Sequence, residues 1–72
     1  MTLEKQKIFE EQQVDIFAGF MKKKLEKYRH LNQGSFVKSD FYDLLEDLLR
    51  AVQDEDMISV ANYAMMMNYV GK

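Results

Sequence analysis

Two short stretches hold most of the residues whose types and spacing suit binding chemistry. The first is Lys24-Leu25-Glu26-Lys27-Tyr28-Arg29-His30. Ammonium and guanidinium groups hold phosphates, Lys as a point charge and Arg through a bidentate fork. Lys24, Lys27, Arg29 and His30 are therefore candidate contacts for an anionic ligand. Their structural alternative is plain. Cations at the end of a helix are stabilised by its dipole without any ligand. The second stretch is Val60-Ala61-Asn62-Tyr63-Ala64-Met65-Met66. Asn62 stands among apolar neighbours, and a buried amide needs partners. It reads as a ligand contact or as a polar interhelical contact that fixes register.

The faces of the first stretch matter. Positions 24 and 27 share a helix face, whereas 29 lies about 160° round from 27 at about 100° per residue. One flat surface does not use all three. Either a ligand is wrapped at the helix end or two subunits contribute, and Arg29 is the better candidate for a bidentate phosphate contact. There is no phosphate loop, Gly-rich fingerprint, Ser-His-Asp set or Cys-His set in the chain.

The elements that position these residues follow from spacing. Thr2 can cap a helix with Glu4 in its first turn, and no breaker appears before Asn32-Gln33-Gly34-Ser35. A first helix is expected over about 3–31. Val14, Phe17, Met21, Leu25 and Tyr28 form its apolar seam, widened by Ile16 and Phe20. Its polar start frays or packs only in an oligomer. Asn32 to Val37 is expected to be a loop with Gly34 in the left-handed region. Ser39 is expected to cap a second helix over about 39–53. There Phe41, Leu44, Leu45, Leu48, Leu49 and Val52 recur at three and four. Asp54 is expected to cap a third helix, with Glu55 and Asp56 on its N-terminal dipole and Gly71 ending it, over about 55–70. The tight turn makes the last two helices an antiparallel pair. Met57–Val70 is apolar on nearly every side, the mark of a helix buried on more than one face. It is too short to cross a bilayer.

The chain is thus expected to be one all-α domain over 1–72, a three-helix unit packed as an oligomeric bundle. Seventy-two residues give a small core, and no Cys can staple it. A homo-oligomer supplies the missing burial. Met1 is followed by Thr-Leu-Glu-Lys-Gln-Lys, which has no apolar signal segment. With the absence of Cys, this points to a cytoplasmic protein and no membrane partner. The net charge of −2 hides a segregation into Lys22, Lys23, Lys24, Lys27, Arg29 and Lys38, then Asp40, Asp43, Glu46, Asp47, Asp54, Glu55 and Asp56. One basic cluster on an acidic chain is a poor footprint for duplex nucleic acid. The two blocks otherwise face solvent or one another.

From Met21 to Met67 the order of motifs resembles the small phage and bacterial MazG-like group of all-α nucleoside triphosphate pyrophosphohydrolases. The resemblance rests on Arg29-His30 with Gly34 and Phe36, the acidic middle helix, and Val60-Ala61-Asn62-Tyr63-Ala64-Met65-Met66. It implies a nucleotide held by phosphate through Lys24, Lys27, Arg29 and His30 and by its base through Asn62 and a Tyr. It also implies a Mg²⁺ site, with Asp43 and Asp47 on the first and last acidic positions of the middle helix and Asp56 before Val-Ala-Asn. The departures are substantial. Leu44 stands where the family has a second Glu, and Ser59 stands where it has Asp. A gap-free alignment puts Leu49, Arg50 and Ala51 on the acidic positions instead.

Three functions are therefore carried forward. The first is a non-catalytic protein, with no cofactor, that binds or sequesters a nucleotide or nucleotide-like phosphate ligand. The second is a Mg²⁺-dependent pyrophosphohydrolase using Asp43, Asp47 and Asp56. The third is a helical protein-interaction module with no small ligand.

Overall fold

The computed structural model describes residues 2–31 and 36–71, with the side chains of His30 and Leu31 outside that description. The described residues form α1 (Leu3–Leu31), a 3-10 turn (Phe36–Lys38), α2 (Phe41–Gln53) and α3 (Met57–Val70), and no strand. The all-α, three-helix expectation holds. The left-handed Gly34 expected after α1 lies outside the described residues.

Each helix starts where a side-chain oxygen meets free amides. Thr2 Oγ1 accepts from the Lys5 amide at 3.2 Å, as expected. The caps of the other two helices are corrected. Asp40, not Ser39, caps α2, its Oδ1 accepting from the Tyr42 amide at 2.8 Å. The Ser39 amide donates to the Phe36 carbonyl at 2.8 Å and so closes the 3-10 turn. Asp56, not Asp54, caps α3. Asp54 and Glu55 belong to the end of α2. The Glu55 amide donates to Val52 O at 3.0 Å and the Asp56 amide to Ala51 O at 2.9 Å, with Glu55 at φ 56°. That paired bonding is a Schellman stop, a place usually held by Gly. It shifts the start of α3, as the 3-10 turn shifts that of α2, two residues beyond the position expected from spacing.

α3 is the shared partner. α1 packs on it and α2 packs on it, and among the described residues the backbones of α1 and α2 do not come close to each other. Both neighbours run antiparallel to it. Met21 and Lys24 of α1 meet Asn62 and Asp56 of α3. The ring of Phe41, at the start of α2, lies against Gly71 beyond the end of α3. A Cβ on Gly71 would stand 3.0 Å from Met67 O and 3.3 Å from the Phe41 ring, so this close approach favours Gly. Being covered from two sides explains the apolar circumference of α3.

The core is small: Leu44, Ala51 and Met66, with the amide of Asn62 among them. α1 overhangs it. Its 29 residues span about 43 Å at about 1.5 Å each, against a longest molecular dimension of 44 Å. Every residue from 2 to 16 is exposed, including Leu3, Ile8, Phe9, Val14 and Ile16. Among the described residues, no helix is long and apolar enough to cross a membrane.

Candidate functional site

α1 and α3 enclose a cavity of about 230 Å³ between them. From α3 come Ser59, Asn62, Tyr63 and Met66. Their spacing of three, one and three places them on one helix face. From α1 come Lys24, Leu25, Lys27 and Tyr28. The cavity is therefore a gap in a helix–helix seam, walled by apolar and aromatic groups with a few polar groups among them. That is the usual make-up of a small-molecule site.

Asn62 is its distinctive member. The side chain is buried, with 4% of its surface exposed. Its Nδ2 donates to the Met21 carbonyl of α1 at 3.2 Å, which is the interhelical contact expected of a mid-helix amide. Its Oδ1 is buried and has no hydrogen-bond partner among the described residues. Leaving such an acceptor unpaired costs about 1–3 kcal/mol. The Asn62 nitrogen thus ties α3 to α1, and its oxygen is left buried without a partner among the described residues.

The mouth is basic on one side. Lys24 and Lys27 both line the cavity. Lys24 Nζ pairs with Asp56 Oδ2 at the cap of α3. Asp56 also accepts from Ser59, at 3.1 Å from the amide and 2.7 Å from Oγ. The Lys24 ammonium first, then the two Ser59 donors, hold the Asp56 carboxyl down to about 2. Tyr63 behaves oppositely: burial, and then the charge of Asp47, push its phenol above the ordinary value.

Of the five ligand residues expected from sequence, the fold brings Lys24, Lys27 and Asn62 to this cavity. Arg29 is exposed and does not line it. That follows from the angle between 27 and 29 on the helix. The His30 side chain lies outside the described residues. Tyr28 and Tyr63 turn out to be the two tyrosines at the site. Leu25, Ser59 and Met66 also line the cavity. The signal that groups them is the recurrence 59, 62, 63, 66 facing 24, 25, 28.

A second, polar cleft of about 190 Å³ adjoins the first across Ser59 and Tyr63. Asp47, Asp54 and Asp56 line it together with Arg50, whereas Asp43 does not. Asp47 pairs with Arg50 at 3.6 Å. Among the described residues no three acidic or His side chains are grouped so as to hold a metal ion. Asp43, Asp47 and Asp56, the set implied by the resemblance, are thus split, and Asp56 is already engaged by three donors. Comparisons with protein-family models, curated proteins and solved structures find no match to this chain.

Proposed function

We propose that this chain is a non-catalytic binding protein for a nucleotide or nucleotide-like phosphate ligand, which it takes up between α1 and α3. The observation that supports it best is a cavity lined by Asn62, walled by Tyr28 and Tyr63 and edged by Lys24 and Lys27. At about 230 Å³ the cavity is smaller than sites that enclose whole drug-sized molecules, which run from about 300 Å³ upward. In this reading a planar ring lies between Tyr28 and Tyr63. The phosphates stay at the mouth, near Lys27. Lys24 serves chiefly to hold Asp56, and through it the start of α3. The motif order from Met21 to Met67, similar to the MazG-like group, supports the same ligand class. Nucleotides are plentiful in the cytoplasm, which is the location this reading takes.

The pyrophosphohydrolase alternative draws on the polar cleft beside the cavity. It is weakened by the separation of Asp43 and by the three donors already on Asp56. Calorimetric titration with the common nucleotides, with and without Mg²⁺, tests the proposal. Saturable binding that Lys27→Ala weakens supports it. The absence of heat with every nucleotide, or binding that Lys27→Ala leaves unchanged, overturns it.

A further inference from the structure

α1 carries a second series, apolar at Phe9, Ile16 and Phe20, apart from the seam packed on α3. Phe9, Gln13, Ile16, Phe20, Lys23 and Lys27 recur at alternating spacings of four and three, the repeat of a coiled-coil interface. This series lies about 115° round the helix from the packed Phe17, Met21, Leu25 and Tyr28, at about 100° per residue. Phe9, Ile16 and Phe20 are each about half exposed, at 50%, 54% and 49%. At its basic end the series borders a groove of about 290 Å³ formed by Phe20, Lys23, Lys24, Lys27 and Ile58. Met57, next to Ile58, is exposed as well.

The exposed area is far larger than a chain of this mass leaves when compact. The molecule exposes 6069 Å², whereas a compact monomer of 8.6 kDa exposes about 4,700 Å². The radius of gyration, 14.5 Å, exceeds the roughly 11 Å of a compact chain of this length. The excess of about 1,400 Å² exceeds the roughly 800 Å² that each partner contributes to an ordinary stable interface. The charges of α1 choose the direction of pairing. Its first half holds Glu4, Glu10, Glu11 and Asp15 against Lys5 and Lys7. Its second half holds Lys22, Lys23, Lys24, Lys27 and Arg29 against Glu26. A parallel pair sets the basic halves together; an antiparallel pair sets basic beside acidic.

We propose that a second copy of this chain covers this face, with α1 antiparallel to α1, Ile16 at the two-fold axis, and each Phe9 seated in the groove of the other copy. A two-fold axis at Ile16 brings position 9 opposite 23, which is where the groove lies. Gln13 then meets Phe20, and the Lys23 stem lies along the incoming ring with its ammonium in water. The interface is isologous and closes on itself.

Sedimentation equilibrium with cysteine variants tests both the partner and the register. The chain has no Cys, so each new thiol reports alone. The wild type should sediment at twice 8.6 kDa. Ile16→Cys should form a covalent dimer on mild oxidation. Phe9→Cys should not do so alone, but should when mixed with Lys23→Cys. Ile16→Glu should give a monomer with unchanged helix content by circular dichroism, since position 16 is exposed within one chain. A wild-type monomer at all concentrations overturns the proposal. So does self-linking of Phe9→Cys, which reports a parallel pair. A dimer in which Ile16→Cys never cross-links and Ile16→Glu stays dimeric also overturns it.

Discussion

Ser59 Oγ donates to Asp56 Oδ2 at 2.7 Å, and the Ser59 amide donates to Oδ1 of the same carboxylate at 3.1 Å. With Lys24 on Oδ2 as well, the first residue of α3's cap is saturated with donors. One cluster of three side chains thus starts α3 and fastens α1 to it.

The pH dependence follows from that cluster. The Asp56 carboxyl is lowered from 3.8 to about 2 by Lys24 and Ser59. A lowered carboxyl favours folding wherever it is ionised, so its contribution is complete above about pH 4 and fades as pH falls through about 2. Asp56→Asn should melt below the wild type at neutral pH, and the two melting curves should converge near pH 2. Thermal melts by circular dichroism over that range check it. A gap that stays constant with pH would assign the loss to something other than the charge.

Ser59→Asp should not create an enzyme. It replaces a donor by a second carboxylate next to Asp56, so the cap loses a hydrogen bond and gains repulsion. We expect a lower melting temperature and pyrophosphate release below about 0.1 s⁻¹, against about 10 s⁻¹ for a typical enzyme. A coupled pyrophosphate assay with Mg²⁺ present measures it.

Lys27→Ala and Arg29→Ala should separate cleanly. Lys27 lines the cavity and Arg29 does not. Loss of a charged hydrogen-bond partner weakens nucleotide binding by about 1.5–3 kcal/mol in the first variant. Affinity is unchanged in the second. Both residues are exposed, so neither variant should melt differently from the wild type. Calorimetry on the pair, with melts as controls, is the check.

Glu55→Gly should stabilise the chain. Glu55 occupies φ 56°, a conformation that costs an L-residue roughly 1–2 kcal/mol. The greater freedom of Gly when unfolded returns about half of that gain, leaving about 0.5–1 kcal/mol. Urea unfolding of both proteins measures the difference.

Met66→Ala should be severe. Met66 is 2% exposed and lies at the centre of a core with few other buried side chains. The cavity and lost transfer energy amount to about 2–5 kcal/mol, comparable with the whole stability of a small domain. Denaturant titration should show a shifted midpoint or no cooperative transition.

Periodicity made the helices legible. Val14, Phe17, Met21, Leu25 and Tyr28 define one face of α1, and the apolar circumference of α3 shows a helix covered from two sides. The boundaries were less legible. Ser39 and Asp54 have the composition of caps, but the hydrogen bonds of the 3-10 turn and of the Schellman stop claim their backbones first. Those bonds depend on dihedrals that residue type does not dictate. The site was legible in part. Asn62 stood out because an amide among methionines and alanines demands a partner. The pairing of Lys24 with Asp56 was not legible, because the two are 32 residues apart and meet only through the α1–α3 contact.

The central place of α3 also bears on how the chain comes off the ribosome. α1 and α2 are synthesised before it, and among the described residues their backbones do not come close to each other. Until α3 emerges, both present apolar faces to water with nothing to cover them. Isolated helices of about 12–15 residues or fewer are marginal in water, so α2, with 13 residues, stays largely unformed at that stage. Folding is therefore late and nearly all at once.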